Sequence, residues 1–352
     1  MLVGVTGGSG FVGGHSVAAI VKAGHRVRMI VREEATVGRV LEPLGIPQKA
    51  VDVVVGDVTD ETSTRRALRG VDAVLHMASI YSFDRRRHSE IRRTNARSTE
   101  IVLDAAVWSG ADPIVHVSTV GAMFPSRHAP LHGDSPVGRP RETYLASKAD
   151  AERIARAHQS RGAPVLITYP PALLGPGDPK LGDQAQRMRD LLRGLMPIWP
   201  LGGFPLGDVR DTADLHAALF GTAKRDSNRF FGPGRYVSTR QYVQAAREVT
   251  GRALPTIFLP AATVVPVGLL ADRVQRFWPW HIPAQYGAVY TCACRTEVHE
   301  KADAFGLEAR PLVETVRDTV SWLCAAGHLT RRQSGAAADR PAVQDQARVM
   351  AK

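Results

Sequence analysis

The sequence predicts an α/β fold: a doubly wound parallel sheet of the Rossmann type with a smaller, mostly C-terminal lobe. Three observations predict it. A glycine-rich turn, Thr6-Gly7-Gly8-Ser9-Gly10-Phe11-Val12-Gly13, lies between the apolar run Leu2-Val3-Gly4-Val5 and a helical pattern carrying Val17, Ala18, Ile20 and Val21. Strand-like and helix-like patterns then alternate through the first half of the chain. After Pro170 the alternation loosens, and proline and glycine cluster over 170–182 and 197–207.

The first strand and the first helix meet at the glycine turn. Glycines there let the backbone turn tightly and approach a pyrophosphate, which rests on the positive end of the helix. Two spacings fit, Gly8-Gly10-Gly13 and Gly7-Gly10-Gly13. Arg26–Val31 reads as strand two and Val51–Asp57 as strand three, with a helix over 62–69. Ala73–Ala78 reads as strand four. The next helix starts near Thr94 and carries Ile101, Val102, Ala105 and Ala106 on one face. Pro113–Ser118 and Val165–Tyr169 complete six strands whose C-terminal ends share one edge, where ligands bind.

Residues 1–169 form the expected dinucleotide-binding domain, with elements returning to its sheet near 205–235. Segments 170–204, with a helix over 184–195, and 236–329 form the expected substrate lobe. The polar, aperiodic 330–352 reads as a disordered tail. The apolar stretch 256–271 is broken by Pro260 and Pro266 and is short for a membrane span, so a lobe helix is expected there.

The 352-residue chain is 44% hydrophobic, ordinary for a protein with a real core. Cys292, Cys294 and Cys324 are too few for a disulfide framework, and Cys-Ala-Cys lacks a second ligand pair for zinc. Reduced thiols, no metal and a cytoplasmic location are expected. With a strand beginning at the second residue, no signal peptide is expected. The net charge of +11 is spread along the chain without a basic block interleaved with aromatics. That argues against nucleic acid and fits a surface that attracts phosphorylated cofactors.

Tyr144-Leu145-Ala146-Ser147-Lys148 puts Tyr144 and Lys148 one helical turn apart on one face. A tyrosine that exchanges a proton near neutral pH needs its phenol pKa lowered, which a nearby ammonium does. The fifth strand ends in Ser118-Thr119 at the edge where the glycine turn also points. A hydroxyl there is placed to bond a substrate oxygen.

Together these marks resemble an extended short-chain dehydrogenase/reductase, in the group containing NAD-dependent epimerases and dehydratases. The chain is most similar to the dihydroflavonol reductase and 3β-hydroxysteroid dehydrogenase type. The marks run in the family's order over about half the chain. They are the glycine turn, Gly56-Asp57-Val58, Leu75-His76-Met77-Ala78-Ser79, Asn95-Ala96-Arg97-Ser98-Thr99, Val117-Ser118-Thr119, Tyr144 with Lys148, and Tyr169-Pro170-Pro171 before Gly175-Pro176-Gly177-Asp178. The resemblance selects Gly7, Gly10 and Gly13, with Thr6, Phe11 and Val12, as the pyrophosphate turn. It implies that Asp57 and Val58 meet the adenine, and that Ala78 and Ser79 flank the ribose and nicotinamide. Thr119 would bond the substrate oxygen, with Ser118 the alternative, and Tyr144 would be the acid/base. Lys148 would hold the nicotinamide ribose, and Pro170 and Pro171 would lie by the carboxamide. Asn95 reads as a helix-start or active-site support, with the structural role preferred. The resemblance also implies pairing of two copies through helices beside the catalytic one.

An acidic residue at the end of strand two marks an NAD site. Here Val31-Arg32-Glu33-Glu34 offers Arg32, suited to a 2′-phosphate, so NADP is expected; Glu33 and Glu34 keep NAD open. Sugar-nucleotide epimerases and dehydratases share the tyrosine–lysine pair. Many of them have an asparagine after strand six, where this chain has Ala172. Dehydratases tend to have an Asp-Glu pair after the hydroxyl residue, where this chain has Val120-Gly121. Trp199, Phe204, Phe277, Trp278, Trp280 and Tyr286 are candidate pocket aromatics, most of them expected in the core. The expectation is hydride transfer between NADP(H) and a carbonyl or secondary alcohol of a fairly apolar small molecule. A nucleotide-sugar epimerase or dehydratase and a non-catalytic NADP sensor are the alternatives.

Overall fold

The computed structural model describes residues 1–81, 85–126, 130–221, 227–261, 263, 290–292, 294, 296–298 and 305–339. The first half alternates strand and helix. It runs β1 (Leu2–Thr6), α1 (Phe11–Lys22), β2 (Arg26–Val31), α2 (Ala35–Leu41), β3 (Asp52–Val55), α3 (Glu61–Ala67) and β4 (Ala73–His76). Then come α4 (His88–Trp108), β5 (Ile114–Val117), α5 (Thr143–Ser160) and β6 (Val165–Tyr169). The later chain supplies β7 (Ala172–Leu174), α6 (Asp183–Leu192), β8 (Ile198–Leu201), β9 (Gly203–Asp208) and α7 (Val209–Gly221). It continues with β10 (Arg229–Phe231), β11 (Arg235–Ser238), α8 (Thr239–Thr250), β12 (Ile257–Pro260) and α9 (Leu312–Ala325).

Seven strands form one parallel sheet in the order β10-β6-β5-β4-β1-β2-β3. This is the doubly wound fold. Strands β4, β5 and β6 are buried at every residue, as a parallel sheet covered on both faces requires. On one face Val17 and Ile20 of α1 and Leu215 and Leu219 of α7 pack on Val5, Leu75 and Val115. On the other, Leu68, Val102, Leu103 and Ala155 pack on Val74, Ile114 and Ile167. Each fully buried Val, Leu or Ile stabilises the fold by about 1.5–3 kcal/mol. The order reverses between β1 and β4. Crossovers leave that point in opposite directions and open a crevice at the strand C-termini.

The second lobe has its own core, built on Trp199, Phe204 and Tyr242, with Met188, Leu191, Val316 and Leu323 around them. Its three-stranded sheet has the order β11-β9-β7, and β12 pairs with β8. Arg210 joins the two parts of the molecule, bonding Asp208 at 2.7 Å and Asp318 of α9 at 2.8 Å.

Several expectations are corrected. Of the elements expected to return near 205–235, Arg229–Phe231 joins the main sheet as its edge strand, whereas Gly203–Asp208 belongs to the second-lobe sheet. Helix α4 begins at His88, not near Thr94, because its first turn carries one buried apolar residue, Ile91, among polar ones. The chain from Thr330 to Asp339 is ordered, contrary to the disorder expected for the tail. Thr330 and Gln333 form a reciprocal capping box, and Ser334 and Ala337 are buried against the second lobe. The stretch expected as a helix after Thr256 begins as strand β12; its remainder, Phe277, Trp278, Trp280, Tyr286 and 340–352 lie outside the described residues. Among the described residues no helix is long and apolar enough to cross a membrane.

Candidate active site

Strand β1 delivers the chain into the glycine turn at the switch point. Gly7 has φ +76°, and a Cβ there would lie 2.6 Å from the Ala78 nitrogen. A Cβ at Gly13 would overlap the Gly7 carbonyl oxygen, so both positions require glycine. A Cβ at Gly10 would meet its nearest neighbour at 3.4 Å. Gly8 differs, since a Cβ there would press only the flexible end of Met29. The geometry therefore fits Gly7-Gly10-Gly13. Helix α1 begins after Gly10 with no side-chain cap and no acidic residue in its first turn. Its leading N–H groups suit an anion, so the cradle fits a dinucleotide pyrophosphate.

The residues around the turn divide by role. Thr6 is buried, its Oγ1 hydrogen-bonded to His76 Nδ1 at 2.7 Å and accepting from the Ala78 N–H at 3.3 Å. It therefore braces β1 against the β4 loop. Phe11 meets His15 edge to face, and the Val12 carbonyl accepts from Ser16. Arg32 is exposed at the end of β2 and forms no ion pair among the described residues. Its acidic neighbours turn elsewhere: Glu33 lies 3.9 Å from Arg39, and Glu34 accepts from Gln48 at 3.5 Å. Asp57 accepts from the Thr59 N–H and hydroxyl at 2.9 and 2.8 Å. Those bonds, with the Arg32 charge nearby, hold its carboxyl below the usual range. Val58 packs on the core beside it.

Ala78 and Ser79 leave β4 toward the crevice, and Asn95 fixes the loop that follows. Its amide bonds Ile80 in both directions, at 2.8 and 3.0 Å, and donates to Ser147 Oγ at 2.9 Å. Ser147 in turn donates to the Tyr144 carbonyl at 2.7 Å. Asn95 thus ties the β4 loop, α4 and α5 together, a structural role, although it lies within α4 and not at a helix start.

Helix α5 carries Tyr144 and Lys148. Its N-cap is Glu142, whose carboxylate folds back to accept the Tyr144 and Leu145 N–H groups at 2.9 and 2.8 Å. Burial raises the Glu142 pKa against those bonds. Lys148 is 5% exposed and donates from Nζ to the Val117 carbonyl at 2.7 Å. Burial pulls its pKa down to about 8, with Glu152 opposing. The Tyr144 phenol is pushed well above its ordinary value by burial, then by Glu142 and Asp183. This departs from the expectation that Lys148 lowers it: burial is the largest cause of the rise, Glu142 and Asp183 act in the same direction, and the lysine Nζ is directed at the Val117 carbonyl.

The paired hydroxyls differ. Thr119 is partly exposed; its Oγ1 accepts from the Gly121 N–H at 3.2 Å and lies 3.5 Å from the Pro170 carbonyl, a marginal donor contact. Ser118 Oγ is buried with no hydrogen-bond partner among the described residues. Pro170 and Pro171 are buried at the end of β6, and Pro171 fits because Gly207 and Gly234 lack a Cβ.

Sequence reasoning missed the cover of the site. Tyr81, beyond the β4 loop, meets Tyr144 edge to face with ring centres 4.7 Å apart. Its hydroxyl is hydrogen-bonded to Asp183 at the start of α6. Neither residue belongs to a recognisable motif. A Glu directly before the Thr-Tyr pair was the available signal for Glu142. The candidate aromatics Trp199 and Phe204 are each 1% exposed and belong to the second-lobe core. An apolar hollow of about 340 Å³ lined by Leu191, Met196 and Leu254 shares no lining residue with this site.

The comparisons agree with the fold. The chain is 28% identical over 282 residues, 79% of it and 84% of the relative, to "Sterol demethylase protein B" of Methylococcus capsulatus. It is 28% identical over 262 residues, 73% and 74% of the two chains, to the "Putative dihydroflavonol 4-reductase" of Synechocystis sp.. Among solved structures, UDP-glucose 4-epimerase from Bifidobacterium longum, in complex with NAD+ and UDP, superposes with a TM-score of 0.72 at 17% identity. That match covers 93% of this chain and 99% of the other. The family model "NAD dependent epimerase/dehydratase family" matches residues 3–230. The chain belongs to the NAD-dependent epimerase/dehydratase family and is an NAD(P)-dependent oxidoreductase acting on CH–OH or C=O groups.

Proposed function

We propose that the chain is an NADP-dependent oxidoreductase that works on a carbonyl or secondary alcohol of a fairly apolar small molecule. The observation that carries this reading is Tyr144, partly buried and kept protonated by burial and two carboxylates, one helical turn before the buried cation Lys148. A phenol held neutral is a proton donor, which is what a carbonyl needs as it becomes an alkoxide.

Gly7, Gly10 and Gly13, with the first N–H groups of α1, hold the pyrophosphate, and Arg32 meets the 2′-phosphate. Asp57 and Val58 would meet the adenine, Ala78 and Ser79 the ribose and nicotinamide side, and Pro170 and Pro171 the carboxamide. The bound nicotinamide supplies or takes the hydride. Thr119 hydrogen-bonds the substrate oxygen, with the unpartnered Ser118 hydroxyl as its alternative. Tyr144 gives that oxygen its proton, and Lys148 holds the nicotinamide ribose. The second lobe, over 170–204 and 236–329, supplies the substrate side.

Both relatives named above have names that fit chemistry on non-nucleotide substrates, and Ala172 leaves no asparagine for a diphosphate. A nucleotide-sugar epimerase or dehydratase is the second reading, favoured by the superposition on UDP-glucose 4-epimerase. Incubating the protein with NADPH or NADH and a panel of apolar ketones, and separately with UDP- and dTDP-sugars, distinguishes them. The proposal expects NADPH-dependent ketone reduction; conversion of a nucleotide sugar instead overturns it.

A further inference from the structure

Helix α5 carries a stripe of which the catalytic scheme uses only the first two members. Tyr144, Lys148, Glu152 and Arg156 recur every four residues and so line one face of the helix. Glu152 is fully buried, and its Oε1 accepts from Arg156 Nε and from the Tyr169 hydroxyl, both at 2.7 Å. Arg156 directs its other nitrogens elsewhere, Nη1 to the Ser135 carbonyl at 3.0 Å and Nη2 to the Tyr169 oxygen at 3.2 Å. Glu152 Oε2 is left buried with no hydrogen-bond partner among the described residues.

A buried carboxylate oxygen without a donor is costly, and so is a buried ammonium without a counter-charge. Lys148 stands one helical turn from Glu152, with about 5–6 Å between their Cβ atoms. Among the described residues its Nζ has one hydrogen bond, to the Val117 carbonyl at 2.7 Å. The groups that face it from the sheet supply no charge. His76 of β4 and His116 of β5, with ring centres 5.5 Å apart, are both kept neutral by burial. On α4, Asp104 pairs with His158 toward the far end of α5, at 3.5 Å. We propose that Glu152 is a positioning residue that acts through Lys148: its second oxygen holds the lysine as the ammonium that grips the nicotinamide ribose. Its bond to Tyr169 fastens the pair to the strand that leads into Pro170 and Pro171. Burial pulls the lysine down to about 8, and Glu152 opposes that fall. This rests on the cofactor part of the proposed function.

Nucleotide affinity of the full-length protein tests it without any substrate. NADPH, or NADH where it binds more tightly, is titrated by fluorescence from about pH 6.5 to 10. Wild type is expected to bind evenly up to about pH 8 and then about tenfold more weakly as the lysine loses its proton. Lys148→Met should show no such break, and it supplies the baseline for the nucleotide's own titration. Glu152→Gln should move the break down by about one pH unit or more. Glu152→Asp keeps the ion pair with Arg156 but withdraws the charge from Lys148, so its break should fall by less; it decides alone if Glu152→Gln does not fold. Tyr169→Phe takes a hydrogen bond from the same carboxylate and leaves its charge, so the break should stay in place. The proposal is overturned if the folded Glu152 variants break where wild type does, or if Tyr169→Phe moves the break as far as Glu152→Gln. A wild-type profile identical to that of Lys148→Met refutes the grip of Lys148 on the ribose, and the proposal with it. Failure of wild type to bind either nucleotide refutes the dinucleotide site itself.

Discussion

Lys148 Nζ lies 2.7 Å from the Val117 carbonyl oxygen, so the buried ammonium of α5 is fastened to the last residue of β5. This bond sets the catalytic helix against the strand that ends in Ser118-Thr119. It also leaves a cation in a place that burial makes unfavourable.

Replacing Lys148 should therefore separate stability from activity. Its folded pKa of about 8 is below the ordinary 10.5. The unfolded chain then binds more protons between those values, so this group makes stability rise with pH across that window. Lys148→Met should melt above wild type at pH 7, by about 1–3 kcal/mol. The gap should narrow as pH rises from about 8 toward 10.5. Denaturant titrations at pH 7 and pH 10 check the sign.

The buried histidines act at the other end of the pH scale. Burial pulls His76 and His216 down to about 3 and His15 to about 4, from 6.5. The unfolded chain takes up protons first, so stability that is full above pH 6.5 falls as pH drops toward the folded values. Each histidine should cost about 2 kcal/mol between pH 7 and pH 5. His216→Gln should flatten the dependence by that amount, measured by urea unfolding at the two pH values.

The proposed NADP preference rests on Arg32, exposed at the end of β2. Arg32→Asp should weaken NADPH binding by about tenfold or more and spare or improve NADH binding. Fluorescence titration of the two nucleotides measures it, and an unchanged preference removes Arg32 from the account.

Asn95 should matter more to the fold than to the chemistry. Asn95→Ala strips the Ile80 N–H and carbonyl of their side-chain partner and removes the donor to Ser147 Oγ, which should cost about 2–4 kcal/mol. Thermal unfolding with and without NADPH reads this directly.

How much of this was legible in the sequence follows from the kind of contact each residue makes. The glycine turn, Tyr144 and Lys148 could be read because their requirements are local: a positive φ at Gly7, a Cβ excluded at Gly13, one helical turn between two side chains. Strands β4 to β6 could be read because sheet burial makes them continuously apolar or small. The placement of Gly203–Asp208 could not, since membership of one sheet or another depends on partners far along the chain. Tyr81 and Asp183 were illegible for the same reason: they are about a hundred residues apart in the sequence and meet only when the second lobe docks. The raised phenol of Tyr144 was not legible because spacing revealed the cation but neither the burial of the ring nor the two carboxylates.

The most direct test of the account is Tyr144→Phe measured for both binding and turnover. The phenyl ring keeps the packing and removes the proton. The account predicts NADPH affinity within about twofold of wild type and ketone reduction slowed by about 10²–10⁴-fold. Turnover undiminished in Tyr144→Phe would contradict it.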